Sequence, residues 1–200
     1  MASILKVDTI QDQSGNNIIN ENADTITIGA SGDTVNIVGT LQNNGNNAVG
    51  ITEADQWRLT VDITANTDPI SSNLERVDTA GQGTLGTGMT VNSGRFSFPT
   101  TGIWLVRLIA NGAAAAGDNV SAGIKVTVNN STYNTLVEPQ DSGDGGLGSF
   151  SLSGETLVDV TDISNVKVSF FTSSVGAGSS ILGSTSINYT AFTFIRLGDT

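Results

Sequence analysis

"GRFSFPTTGIWLVRLIANGA", residues 94–113, is the stretch whose reading decides the fold. Its second half, "GIWLVRLIANG" (102–112), is a run of branched and aromatic residues that favours an extended strand. Side chains alternate between the two faces of a strand, so Trp104, Val106 and Leu108 point one way and Ile103, Leu105 and Ile109 the other. Both faces are therefore apolar. One can fill a core. The other needs a second cover, such as a neighbouring subunit, unless the strand is buried wholly within its own sandwich.

Working outward, similar runs recur from about residue 51 with turn signals between them. They are "WRLTVDI" (57–63), "LERVDT" (74–79), "GRFSF" (94–98), "SAGIKVTVN" (121–129), "GSFSLSGETLVDV" (148–160), "NVKVSFFTS" (165–173) and "INYTAFTFIRL" (187–197). With 102–112 this makes eight strands in about 150 residues, the pattern of an all-β antiparallel sandwich or jelly roll. No helical stripe competes, and the glycines flanking "NGAAAAGDN" (111–119) favour a loop there. Phe96, Phe98, Trp104, Val106, Leu108, Tyr189, Phe192 and Phe194 are the expected core or trimer-packing residues.

Residues 1–50 have another texture, dense in Asn and Asp and without an aromatic residue. "DTITIGASGDTVNI" (24–37) states one strand phrase twice, with Ile26, Ile28, Val35 and Ile37 able to share a face. Two such strands are marginal in water, and about three repeats are needed for a stable stack. The missing layers are expected from other copies of the chain or from a larger body. "LQNNGNNAVG" (41–50) reads as a linker. The expected organisation is an extended β arm over 1–50 and a jelly roll over 51–200.

The totals narrow the function. Among 200 residues, 8 Lys and Arg stand against 19 Asp and Glu, a net charge of −11 that opposes binding to a phosphate backbone and sets nucleic acid aside. With no Cys and no His, thiol chemistry, Cys/His zinc sites and a Ser-His-Asp triad are excluded. The opening lacks the apolar run of a signal peptide, and no stretch approaches the roughly 18 apolar residues of a membrane helix. Cytosolic synthesis without membrane insertion is the expectation.

The order of the strands carries a resemblance. Gly94, Phe96, Pro99, Gly102 and Trp104 resemble the Gly-x-Phe-x-x-Pro-x-x-Gly-x-Tyr stretch of the globular heads of complement's first component and of the wider tumour-necrosis-factor-like superfamily, with Trp in place of Tyr. "LSGETLVDV" (152–160) is similar to the Leu-x-x-Gly-Asp strand of that family, with Glu155 for Asp, and "YTAFTFIRL" (189–197) to its Phe-rich closing strand. The resemblance implies a ten-strand jelly roll assembled as a tight homotrimer. Separately, residues 1–41, with "ILKVDTI" and "TIGASGDTVNI", resemble the leaders of structural proteins from tailed phages, marine ones especially. That resemblance implies attachment of the arm to other virion proteins.

Candidate chemistry is sparse. Glu138, Asp141 and Asp144 in "EPQDSGDGG" are the calcium candidates, although their spacing misses the EF-hand pattern and fits a solvated turn. "GQGTLGTG" (81–88) has no following Lys and reads as a mobile loop, not a phosphate cradle. No catalytic site and no cofactor are expected. The sequence therefore points to a homotrimeric virion structural protein, a short fibre, knob or decoration on capsid or tail. Its loops 81–90, 111–120 and 138–148 would face a host-surface glycan or protein. The alternative is a secreted complement-head-like binding module.

Overall fold

The computed structural model describes residues 37–39, 41–43, 46–47, 50–143 and 146–200, and the chain divides into two units, Met1–Ala48 and Val49–Thr200. In the first unit β1 (Gln42–Asn43) pairs antiparallel with β2 (Asn46–Asn47). The stretch expected as a linker thus contains a short antiparallel strand pair. Of the repeat residues, Ile26, Ile28 and Val35 lie outside the described residues. Ile37 is half exposed and belongs to no strand.

The second unit is built of strands, with no helix among the described residues. In chain order they are β3 (Ala54–Leu59), β4 (Leu74–Arg76), β5 (Thr90–Asn92), β6 (Arg95–Ser97), β7 (Gly102–Ala114), β8 (Asn119–Thr127), β9 (Asn134–Val137), β10 (Gln140–Ser142), β11 (Gly148–Val160), β12 (Lys167–Ser173), β13 (Ser180–Ile181) and β14 (Thr190–Gly198). A front sheet runs β11-β7-β14-β3-β4, with β13 continuing the line of β14 along β7. A back sheet runs β10-β8-β12-β6-β5, with β9 also on β8. Every pairing is antiparallel.

The core lies between the sheets. Trp104, Val106, Leu108 and Ala110 project inward from β7, Phe192 and Phe194 from β14, Phe96 from β6 and Phe170 from β12, all essentially sealed from solvent. Phe170 stacks on Phe192 at 4.1 Å between ring centroids, and Phe96 meets Phe170 edge-on at 5.5 Å and Trp57 at 5.6 Å. Offset and edge contacts of this kind add to the roughly 1.5–3 kcal/mol that burying each large apolar side chain contributes.

The deciding stretch is the place where the chain crosses between sheets. β6 belongs to the back sheet and β7 to the front, so residues 98–101 span the sandwich, and Phe98 packs on Trp104 at 5.1 Å. Gly94 and Gly102 flank this crossing with φ of 76° and 135°, and a Cβ at either would overlap backbone, that of Ile70 or of Gly198. The glycines of the motif are thus required by a two-residue turn and by a close strand approach.

Two expectations need correction here. Residues 111–119 are not one loop: β7 continues to Ala114 and β8 begins at Asn119. Pairing on both edges, with Gly148 opposite Ala114 and Ser180 opposite Ala113, overrides the low strand propensity of the alanines. Tyr189 is not a core residue. It precedes β14, is 37% exposed, and serves through its backbone carbonyl, which accepts from the backbone N–H and Nδ2 of Asn111 at 3.1 and 2.8 Å.

Candidate functional site

The outward face of the front sheet is laid out by strand register in three rungs. One holds Leu157, Leu105, Ile195 and Ala54 on β11, β7, β14 and β3. The next holds Glu155, Arg107, Thr193 and Gln56, and the third Ser153, Ile109, Ala191 and Arg58. Ile103, Leu105, Ile109 and Ile195 are only half-buried and Leu157 is 60% exposed, so the first rung is apolar and open, and the polar second rung separates it from Ile109. Arg107 is exposed in that second rung, directly across from the exposed Glu155. The expected packing residues divide accordingly: Phe96, Phe98, Trp104, Val106, Leu108, Phe192 and Phe194 all serve the internal core, and the outward face is made by their neighbours in sequence.

At the β4 end this face is closed by charge. Arg58 is fully buried and donates to Glu75 at 2.6 Å, to Asp78 at 2.5 Å and to Thr79 at 2.8 Å. On the inner side of β3, Glu53 and Asp55 are buried carboxylates that hold the glycine-rich segment. Glu53 accepts the backbone N–H groups of Thr87 and Gly88 at 2.9 and 3.0 Å, and Asp55 accepts that of Met89 at 2.7 Å. Asp55 also accepts from Trp57 Nε1 at 2.9 Å, Arg76 Nε at 3.0 Å and Thr84 Oγ1 at 3.2 Å. Leu85 bridges to Ala54 through two backbone hydrogen bonds. The segment expected to be a mobile loop is therefore fastened to β3, because two buried charges need its N–H groups as partners. The sequence does not disclose Asp55 as a hub, since its partners at Arg76, Thr84 and Met89 lie 21, 29 and 34 residues away.

The calcium candidates are placed apart in role. Glu138 accepts from Ser121 Oγ at 2.9 Å, Asp141 lies exposed in β10 and accepts the Ser142 N–H at 2.8 Å, and Asp144 lies outside the described residues. Among the described residues no group of three or more acidic, His or Cys side chains is arranged to hold a metal ion. Nor is any helix among them long and apolar enough to cross a membrane.

The back sheet presents a different surface. Ser93 and Gly94, with φ of 50° and 76°, form the two-residue turn of the β5–β6 hairpin, whose positive φ values match the twist of its strands. Beyond it Arg95 and Ser97 stand next to Ser169 and Lys167 of β12. The turn before β12 is held by Asp162, which accepts from Ser164 N–H at 2.7 Å and Asn165 Nδ2 at 2.6 Å. These bonds, the Ser164 backbone bond first, hold the Asp162 carboxyl below its ordinary value. Arg95 lies over the Tyr133 ring at 5.2 Å. Burial raises the Tyr133 phenol above its ordinary value, and the Arg95 charge works against that shift. The buried Tyr133 hydroxyl has no hydrogen-bond partner among the described residues.

The sequence matches no protein-family model and no curated protein. Its fold is matched by solved structures. Eiger TNF from S. frugiperda aligns with a TM-score of 0.54 at 14% identity, over 74% of this chain and 93% of that one. Murine APRIL aligns with a TM-score of 0.50 at 12% identity, over 72% and 98%. At these identities the likeness is one of fold. The second unit is an all-β jelly roll of the tumour-necrosis-factor-like type, as the crossing motif at 94–104 leads one to expect.

Proposed function

We propose that the chain is a non-enzymatic structural protein of a tailed-phage particle, forming a homotrimeric surface appendage. Three jelly rolls meet through the outward faces of their front sheets, and residues 1–40 join the trimer to other virion proteins. The observation that carries the assembly is the open apolar rung of Leu157, Leu105 and Ile195, continued by Ile103 on the side away from Arg107. A monomeric soluble domain rarely leaves such a contiguous face bare. A copy of the same face supplies its cover, and Arg107 beside Glu155 gives each copy both signs of charge for cross-pairing. The tumour-necrosis-factor-like resemblance implies the same arrangement. The phage reading rests on the leader texture of residues 1–41.

Light scattering on the full chain and on a chain beginning at Ile51 tests the assembly. Three chain masses from both place it in the jelly roll. A single mass from the shorter chain transfers it to the arm, and a single mass from both overturns it. A gene lying among portal, terminase or tail genes is the expected context for the virion role. An isolated gene for an exported protein would contradict that role and favour the complement-head-like binding module.

A further inference from the structure

The seven cations among the described residues divide sharply. Arg58, Arg76, Lys125 and Arg196 each pair with a carboxylate, Glu75 and Asp78, Asp55, Asp68 and Asp199 respectively. Arg95, Arg107 and Lys167 have no carboxylate partner among the described residues. The chain has a net charge of −11, and two of these three cations line one cleft.

That cleft, about 250 Å³, opens on the outward face of the back sheet and is lined by Asn92, Ser93, Arg95, Ser97, Asn130 and Lys167. No acidic residue lines it. Its side chains are two cations, two amides and two hydroxyls, a set that offers a charged fork, a point charge and several neutral hydrogen-bonding groups. On the rim Ser93 and Asn130 have positive φ, at 50° and 53°, which fixes the backbone turns that carry them. Asn130 is tied by its N–H to the Asn165 carbonyl at 2.9 Å, and Lys167 by Nζ to the Ile163 carbonyl at 2.7 Å. Arg95 rests on the Tyr133 ring, which limits the positions its guanidinium can take.

We infer that this cleft binds a single acidic sugar unit, its carboxylate or sulfate held by Arg95 and Lys167 and its hydroxyls by Asn92, Asn130 and the two serines. The volume falls below the roughly 300–1,000 Å³ of pockets that enclose drug-sized ligands, which suits contact with one sugar ring. Arg presents a planar fork to a carboxylate or sulfate, and the amides and hydroxyls match ring hydroxyls that a bare inorganic anion would leave unused. The inference goes beyond the assembly proposed above. The cleft is on the sheet that does not take part in the trimer, so each subunit keeps its own site.

Ligand-observed saturation-transfer NMR on the full chain tests it, with galacturonic acid, galactose 6-sulfate and neutral galactose as probes. Saturable binding of one or both acidic sugars, weakened by added salt and absent for galactose, is the expected result, and which acid binds identifies the anion. Arg95→Gln and Lys167→Gln should each weaken that binding tenfold or more, since each removes a charge-assisted hydrogen bond and tenfold is about 1.4 kcal/mol. Lys125→Gln, which removes a cation already paired with Asp68, should leave it unchanged. Solution mass measured on the same samples separates a lost site from a lost trimer, and if Arg95→Gln fails to fold, Lys167→Gln and the salt series decide. Failure of both acids to bind, equal binding of galactose, or unchanged binding in Lys167→Gln overturns the inference.

Discussion

The outward faces of the two sheets share one backbone geometry and differ in everything their side chains offer. On the front sheet the face carries Ile103, Leu105, Ile109, Ile195 and Leu157, half-buried or exposed. On the back sheet the corresponding positions of β6 and β12 carry Arg95, Ser97, Lys167 and Ser169, and the one large apolar side chain there, Phe171, is covered at 4.7 Å by the Lys125 ammonium. Strand alternation sends half of each strand's residues outward in both sheets. In the proposed assembly, those outward residues alone decide which sheet associates and which stays in water. The inward half is mainly apolar in both, with Asp55 the charged exception on β3, and discriminates little.

The largest effect is expected from crossing from the outward to the inward face of one strand. Trp104→Asp buries a charge in the core and removes the ring that packs on Phe98, at a cost of at least about 4 kcal/mol, which should abolish soluble protein. Phe194→Asp should do the same. Expression yield and thermal melting check both, and normal folding of either would mean that β7 and β14 are assigned to the wrong faces.

Next comes the buried carboxylate. Asp55→Ala leaves the Met89 N–H, Trp57 Nε1 and Arg76 without their acceptor, a loss of about 3 kcal/mol readable by denaturant unfolding. Hydrogen exchange should show the Met89 N–H losing protection in that variant, while Leu85, Thr87 and Gly88 stay tied to Ala54 and Glu53. Unaltered protection there would contradict the fastening described for this segment.

On the back sheet the effects are smaller. Tyr133→Phe removes a buried hydroxyl that has no partner and keeps the ring beneath Arg95, so stability should rise by up to about 1 kcal/mol at neutral pH. The sign with pH follows from the raised phenol. The folded chain holds the proton more tightly than the unfolded chain, so the wild type should lose stability as pH rises through and above the ordinary value of 10.0, and Tyr133→Phe should lose less. Equal alkaline loss in both proteins would show that the phenol is not responsible. The smallest effect concerns Asp162, whose folded value is lowered. The contribution of its turn is present above the ordinary 3.8 and fades as pH falls through the folded value, so Asp162→Asn should flatten the acid limb of the stability curve slightly.

Much of the fold was legible because its signals are local. The branched and aromatic run over 102–112 and the strand-like run over 148–160 announce β7 and β11, and Gly94 and Gly102 mark positions that backbone geometry imposes. The strands that sequence reasoning missed, β5, β9, β10 and β13, are two to four residues long, too short for a period to show, and exist through their pairing to longer neighbours. The outward face of β7 could be read from Ile103, Leu105 and Ile109, but its continuation onto Leu157 and Ile195 is a matter of register between distant strands. The basic cleft was not legible at all. Arg95 and Lys167 are isolated cations in the sequence, and only the β6–β12 pairing brings them together.

Leu105→Asp tests the central claim most directly, because Leu105 adjoins Trp104 in sequence and lies on the opposite face. The outward face admits a charge in a single folded chain and cannot tolerate it in an apolar interface. Light scattering with melting on the same sample should give three chain masses for the wild type and one for Leu105→Asp, the variant chain still melting cooperatively as a folded domain. A folded Leu105→Asp that remains three chains in mass would contradict the account, since assembly would then lie somewhere other than the apolar face of the front sheet.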